Sequence, residues 1–166
     1  MQNSHTISSD IRAIQIRSAI DEIRNDRASG AAKQTVRAAR LLVECSRHTP
    51  ADLPEITRAL TDAQPTTGPI YNLAAIVLHS HDVPAVCHDF LDSMERNTAR
   101  IAERAAALVS DGDTVMTHSF SSTILTALRE VSWGGKRLSV ICPESRPICE
   151  GVAMAASLGI DRKSVV

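Results

Sequence analysis

Apolar residues recur every three or four positions along the first two-thirds of the chain, which predicts a series of amphipathic helices. A short helix is predicted from Leu53 to Leu60, capped by Asp52. The longest helix begins at Pro84, and Asp111-Gly112-Asp113 ends it. The other apolar stripes are formed by Ile16, Ile20 and Ile23, by Val36, Ala39 and Leu42, and by Ile70, Leu73 and Val77. Residues 1–111 are therefore predicted to form a helical domain.

The periodicity changes after Asp113. Thr114-Val115-Met116 is short, β-branched and apolar, which predicts a buried strand, and Leu138 to Ile141 predicts a second strand. A helix is predicted after each strand, from Ile124 to Val131 and from Pro147 to Leu158. The order strand, helix, strand, helix is typical of a parallel, right-handed α/β layer. Residues 112–160 are therefore predicted to begin an α/β domain.

The end of the chain does not continue this pattern. Leu158-Gly159-Ile160 resembles the start of a third strand, but Asp161-Arg162-Lys163-Ser164-Val165-Val166 does not complete one. Because two parallel strands rarely form a sheet by themselves, the α/β domain is expected to be incomplete. The last six residues resemble one reading frame of a common sequencing adapter, so residues 161–166 are interpreted as a non-native tail.

The composition excludes several classes of protein. With 43% hydrophobic and 22% charged residues, the chain can form a packed core. A net charge of -1 and a pI near 6.6 provide no field that attracts nucleic acid or an anionic membrane. The sequence begins without a signal peptide and contains no apolar run long enough to cross a bilayer. These features predict a cytoplasmic protein that contacts neither nucleic acid nor membrane directly.

The cysteines and histidines give no support for a metal centre. The four cysteines form no CxxC pair and show no disulfide-rich spacing, which predicts free thiols. His79, His81, Cys87 and His88 are close in sequence, but their spacing matches no standard zinc pattern. We therefore predict neither a metal ion nor a cofactor.

Two polar bends follow the two predicted strands. The first bend is Thr117-His118-Ser119-Phe120-Ser121-Ser122-Thr123, and the second bend is Cys142-Pro143-Glu144-Ser145-Arg146-Pro147. Open α/β sheets bind their ligands beyond the carboxyl ends of the strands, so these bends predict one crevice. Its hydroxyl, imidazole, carboxylate and guanidinium groups suit a small polar or anionic ligand.

Each candidate residue in the bends also has a structural interpretation. Ser121-Ser122-Thr123 can bind phosphate at a helix N-terminus, or one of the serines can cap that helix. His118 can carry a proton near neutral pH, or it can hydrogen-bond a neighbouring loop. Glu144 and Arg146 can clamp a ligand, or they can pair with each other across the turn. We favour the pairing, with some contact to a ligand.

Four segments of the chain resemble the family of translation initiation factor 2B α, β and δ subunits, which also contains ribose-1,5-bisphosphate isomerase and methylthioribose-1-phosphate isomerase. They are, in order, Ser29-Gly30-Ala31-Ala32, Gln64-Pro65-Thr66, Gly112-Asp113-Thr114-Val115-Met116-Thr117-His118, and Glu144-Ser145-Arg146-Pro147 with Glu150-Gly151. The resemblance implies an N-terminal helical domain joined to a Rossmann-like parallel-sheet domain, with the ligand site between them. It also implies that the full-length protein forms homo-oligomers or assembles with related subunits.

The chain departs from the pattern of the family's isomerases. There, an Arg-Gly-Ala turn and an Arg-Pro-Thr/Ser loop hold phosphate, and a Thr-His-Cys turn supplies a catalytic thiol. Ser29 and Gln64 stand at the two arginine positions, and Ser119 stands at the cysteine position. Glu150 replaces a glutamine that contacts substrate in the methylthioribose-phosphate enzymes. Cys142 and Cys149 follow the second strand near the predicted crevice, and either is a candidate to replace the missing thiol. Cys142, at the end of the strand, is the better candidate, although a buried inert cysteine is the favoured alternative.

These departures weaken phosphate binding and nucleophilic chemistry, because arginine pairs with phosphate more strongly than neutral groups do and a thiol ionises far more easily than a hydroxyl. The sequence therefore predicts an initiation factor 2B-related protein that binds a sugar phosphate or nucleotide in a regulatory or non-catalytic role. The alternative is an aldose–ketose isomerase that acts on a phosphorylated pentose. The candidates for catalysis are His118, Ser119 and Cys142. The candidates for ligand binding are Ser29, Gly30, Ala31, Gln64, Ser121, Ser122, Thr123, Glu144, Arg146 and Glu150.

Overall fold

The computed structural model describes residues 3–26 and 29–159. The predicted tail, residues 161–166, lies outside this range. In chain order, the described elements are α1 Asn3–Asn25, α2 Ala31–His48, a short 3-10 helix Pro50–Asp52, α3 Leu53–Ala63, α4 Gly68–Leu78, α5 Val83–Leu108, β1 Thr114–Met116, α6 Ser122–Trp133, β2 Ser139–Ile141 and α7 Glu150–Ser157.

The contacts within the chain separate two compact units, Met1–Asp92 and Ser93–Val166, and the division falls inside α5. The described residues are mostly helical and include a small parallel sheet, which confirms the coarse prediction of the fold class. The domain limits at residues 111 and 160 and the Rossmann-like character of the second domain stay predictions. None of the helices in the described ranges combines the length and the apolar character that crossing a membrane requires.

The first unit contains a hydrophobic core to which α1 to α4 and the start of α5 contribute. Leu42 of α2, Leu60 of α3 and Leu73 of α4 are almost completely buried in it. These residues belong to stripes with helical spacing, so the periodicity in the sequence is sufficient to orient each helix toward the core. Tight packing of such side chains is the main source of stability for this unit.

One predicted helix cap in the first unit is wrong. Asp52 stands at the N-cap position of α3, but its side chain accepts no hydrogen bond from the helix. Capping side chains usually extend from a residue with β-region backbone angles. Asp52 has φ -91° and ψ -5° instead, because it is the last residue of the 3-10 helix that precedes α3.

The second unit contains the parallel sheet. β1 pairs with β2 in the register Thr114 with Ser139, Val115 with Val140 and Met116 with Ile141. Leu125, Leu128, Cys142, Met154 and Ala155 form the buried cluster of this unit. The prediction that β1 is buried is wrong for Met116, which is 69% exposed. Successive strand residues point to opposite faces, and only the face with Val115 packs on the cluster.

The last helix begins three residues later than the sequence predicts. α7 starts at Glu150 rather than at Pro147, because Cys149 adopts the left-handed conformation with φ 60° and ψ 38°. A residue in that conformation interrupts a right-handed helix. The second bend therefore continues to Cys149 before the helix begins.

A network of hydrogen bonds joins the end of α5 to the connection between α6 and β2. Lys136 Nζ donates to the carbonyl oxygens of Ala106 at 2.9 Å and Val109 at 2.7 Å. Asp111 Oδ1 accepts from the backbone N–H of Arg137 at 2.7 Å, and Asp111 Oδ2 accepts from its guanidinium at 3.3 Å. These hydrogen bonds lower the pKa of Asp111.

Asp111→Asn is expected to reduce the loss of stability of the second unit in acid. A carboxyl whose pKa is lowered by folding stabilises the folded state above its unfolded pKa of about 3.9. That contribution disappears as the pH falls through the lower, folded pKa. Urea unfolding measured at several values from about pH 5 to pH 2 should give a shallower pH dependence for the variant. Glu130→Gln, on the exposed face of α6, is the control; equal slopes for wild type and Asp111→Asn would contradict this role of Asp111.

Candidate functional site

The first bend leaves the carboxyl end of β1 and leads into α6. The backbone N–H of Thr117 donates to Ile141 O at 2.9 Å, which ties the start of this bend to the end of β2. Ser121 is the N-cap of α6, and its Oγ accepts from the N–H of Ile124 at 3.4 Å. The capping interpretation of Ser121 is therefore confirmed. Ser122 and Thr123 belong to the first turn of α6, where phosphate binding stays a prediction.

His118 and Ser119 lie between β1 and this cap. The imidazole of His118 is exposed and makes no hydrogen bond to any residue that the structure describes. Ser119 is half-buried, and its backbone has φ 64°. A left-handed conformation is costly for a residue other than glycine, and such residues concentrate at binding and catalytic sites.

The second bend is organised around Glu144. Arg146 Nε donates to Glu144 Oε2 at 2.6 Å, and this ion pair raises the pKa of Arg146. The predicted pairing of the two residues across the turn is therefore confirmed. The Sγ of Cys149 lies 3.9 Å from Glu144 Oε1, within the range of a weak S–H hydrogen bond. The same Sγ lies 3.7 Å from Pro147 O, so its single hydrogen donates to only one of these two oxygens at a time.

A hydrogen bond joins the first bend to the start of α7. Ser119 Oγ donates to Glu150 Oε2 at 2.5 Å, and both side chains are half-buried. Ser145 and Cys149, with φ 58° and 60°, curve the chain so that Glu150 reaches Ser119. The two bends therefore lie side by side beyond the carboxyl ends of β1 and β2, where α/β sheets place their ligands.

The four thiols differ in how far they are exposed to solvent. Cys142 is 1% exposed and packs in the hydrophobic cluster of the second unit, which favours the inert interpretation of this residue. Cys45 and Cys87 are buried in the first unit, and burial raises the pKa of Cys87 to about 11. Cys149 is the one cysteine of the four that is partly exposed.

The remaining ligand-binding candidates lie in the first unit, where the structure shows local roles for two of them. The backbone N–H of Ser29 donates to Asp26 Oδ1 at 2.8 Å. Gln64 is 9% exposed, and its Nε2 donates to Ile23 O at 2.6 Å. The carboxamide at the family's arginine position thus satisfies a backbone carbonyl inside the helical unit.

Gly30 and Ala31 mark the start of α2. Gly30 is the N-cap residue, with φ -68° and ψ 164°, and Ala31 is the first helical residue. A Cβ built at Gly30 would meet no described atom within 4 Å. No other segment that the structure describes therefore requires a glycine at this position, and any L-residue can adopt its backbone angles.

Gly151 allows a close backbone contact between α7 and the second bend, which the sequence pattern does not predict. A Cβ built at this position would lie 1.7 Å from Pro143 O, and the Gly151 N–H donates to Glu144 O at 3.3 Å. The first turn of α7 can approach the second bend this closely only because residue 151 has no side chain. The Glu150-Gly151 pair in the family motif was the available signal.

No metal centre is formed by the residues that the structure describes. No group of three or more histidine, cysteine, aspartate or glutamate side chains among them is placed to hold a metal ion.

The model of the initiation factor 2 subunit family matches residues 5–163. A protein of Pyrococcus furiosus named as translation initiation factor eIF-2B subunit 2-like is 31% identical over 147 residues, covering 84% of this chain and 53% of the relative. The ribose 1,5-bisphosphate isomerase of Archaeoglobus fulgidus is 31% identical over 101 residues, covering 55% of this chain and 32% of the enzyme.

Solved structures give the same result. The crystal structure of translation initiation factor eIF-2B from Pyrococcus horikoshii matches with a TM-score of 0.81 and 28% identity, covering 89% of this chain and 57% of that one. The chain thus spans about half the length of the two Pyrococcus relatives. Because the family model covers nearly the whole sequence, the chain belongs to the initiation factor 2 subunit family.

Proposed function

We propose that this chain is a regulatory or non-catalytic relative of the translation initiation factor 2B subunits and binds a sugar phosphate or a nucleotide beside the two bends. The observation that carries the proposal is the hydrogen bond of 2.5 Å between Ser119 Oγ and Glu150 Oε2. It places a hydroxyl and a carboxylate where the resemblance to the isomerases implies a thiol and an amide. These groups suit the binding of polar ligands.

The chemistry of Ser119 argues against a covalent or proton-transfer role. An aliphatic hydroxyl ionises much less readily than a thiol, and a carboxylate is a weak base toward it. The contact with Glu150 therefore fixes the direction of the Ser119 hydroxyl without making it a strong nucleophile.

Gln64 supports the same conclusion from the first unit. Its carboxamide is held by Ile23 O in a buried position, so it does not replace the phosphate-binding arginine of the isomerases. A neutral amide would in any case bind phosphate less strongly than a guanidinium does.

We also propose that the whole protein assembles with further copies or with related subunits. The structure of a tetrameric complex of eIF2B β and δ subunits from C. thermophilum has a TM-score of 0.61 and 17% identity to this chain, which shows a shared fold. Assembly of that protein through related subunits motivates the proposal for this one.

Isothermal titration calorimetry of the chain against ribose 5-phosphate and adenosine monophosphate tests the binding proposal. We expect saturable binding, together with no conversion of ribose phosphates in a coupled assay. Absence of binding to both compounds would sink the proposal, and turnover would replace it with the isomerase alternative.

The isomerase alternative rests on a separate observation. Cys149 is partly exposed and its Sγ lies 3.9 Å from Glu144 Oε1, so a thiol and a carboxylate are present for proton transfer. The relative from Archaeoglobus fulgidus named as ribose 1,5-bisphosphate isomerase favours testing it. If turnover is found, Cys149→Ser should abolish it, whereas Cys142→Ser at the buried thiol should leave it nearly unchanged.

A further inference from the structure

The charges of the two joined bends do not favour a ligand with many phosphates. The charged side chains of this cluster are Glu144, Arg146 and Glu150, which sum to -1 when ionised. The single guanidinium is already paired with Glu144 at 2.6 Å. The imidazole of His118, in the first bend, is exposed. Among the residues that the structure describes, no cation pairs with the carboxylate of Glu150 at the end of the site that contains Ser119.

The geometry of Glu150 defines what it can bind. One of its carboxylate oxygens accepts from Ser119, and the other has no hydrogen-bond partner among the residues that the structure describes. A free carboxylate oxygen accepts a hydrogen bond from a ligand hydroxyl. A phosphate at the same place would be repelled by the negative charge of Glu150 in a half-buried site, where water screens the repulsion less than at an open surface.

Building on the proposed function, we infer that the Ser119–Glu150 end of this site takes a free sugar hydroxyl and rejects a second phosphate group. The ligand class is a monophosphorylated sugar or a nucleoside monophosphate, with its unesterified hydroxyls directed to Glu150. Ser119 orients the carboxylate, and the carboxylate sets the selectivity. Replacing the carboxylate with an amide of the same shape removes the repulsion and preserves an acceptor for the Ser119 hydroxyl.

Calorimetric titration of the chain with ribose 5-phosphate and with ribulose 1,5-bisphosphate tests this selectivity. The wild-type chain is expected to bind the monophosphate at least tenfold more tightly than the bisphosphate. Glu150→Gln is expected to reduce that preference at least tenfold, chiefly by strengthening binding of the bisphosphate. Ser119→Ala retains the charge, so its preference for the monophosphate should persist even if both affinities fall.

Glu130→Gln, at an exposed position of α6, removes the same charge outside the cluster and should leave the preference unchanged. Far-ultraviolet circular dichroism establishes that each variant is folded. Equal binding of the two compounds by the wild-type chain, or an unchanged preference in Glu150→Gln, would overturn the inference and leave the proposed function standing. Binding of neither compound would overturn both.

Discussion

Gly151→Ala is expected to destabilise the second unit by about 3 kcal/mol and to displace the second bend. The new methyl group would lie 1.7 Å from Pro143 O, a backbone atom that cannot move away as a flexible side chain can. The higher helix propensity of alanine offsets part of this cost, because glycine is less favourable than alanine inside a helix by about 1 kcal/mol. Urea unfolding followed by the fluorescence of Trp133, the sole tryptophan of the sequence, measures the effect in this unit.

Gly30→Ala is the matched control for that substitution. Its backbone angles suit any L-residue, and a Cβ there would meet no described atom within 4 Å. We expect a change of at most about 1 kcal/mol, the cost of losing a favourable N-cap residue. If Gly151→Ala were as stable as Gly30→Ala, the close approach of α7 to Pro143 would be incorrect.

Gln64→Ala is expected to destabilise the first unit by about 2 kcal/mol. The substitution removes the donor that reaches Ile23 O at 2.6 Å across 41 residues of sequence, and leaves that carbonyl with the longer bond from the N–H of Asp26 at 3.4 Å. Thermal unfolding monitored by circular dichroism at 222 nm measures the change, since the first unit is helical.

Gln15→Ala is the control, because Gln15 is exposed on α1 and its side chain makes no hydrogen bond to the described residues. Its effect should stay within about 0.5 kcal/mol. A Gln64→Ala protein as stable as this control would show that the carboxamide has no structural role. The Gln64 side chain of the wild-type protein would then again be a candidate for contact with a ligand.

Gly151 and Gln64 both lie in segments that resemble the family, but the structure gives them different roles. Gly151 has no side chain, and the start of α7 can therefore contact the second bend at Pro143. Gln64 stands at a position that the resemblance assigns to phosphate binding, but its contact is internal. Membership of the family therefore does not by itself transfer the function of each motif position.

Much of the fold could be predicted because amphipathic helices require apolar residues at a regular spacing in the sequence. The predicted start of α5 at Pro84 differs by one residue from its position in the structure, and the stripe of α4 corresponds to its buried face. Errors arose where local backbone geometry overrides the prediction from apolar spacing. Cys149 in a left-handed conformation delays α7, and Asp52 within a 3-10 helix cannot cap α3 with its side chain.

The candidate site was predicted less completely. The order of the strands and bends placed Ser119 and Glu144 near one edge of the sheet, since parallel strands end at the same edge. The pairing of Glu144 with Arg146 was predictable because the two residues are separated by one position. The contact between Ser119 and Glu150 spans 31 residues and has no periodic signal.

The sequence by itself determined the helical periodicity, the two short strands and the motif order that identifies the family, because these depend on the spacing of residue types along the chain. Tertiary structure alone decided that Glu150 meets Ser119, that Gln64 turns toward Ile23 and that Cys142 is buried. Each of these outcomes depends on how distant segments pack together. Linear spacing does not specify which of several polar partners a side chain will reach after that packing.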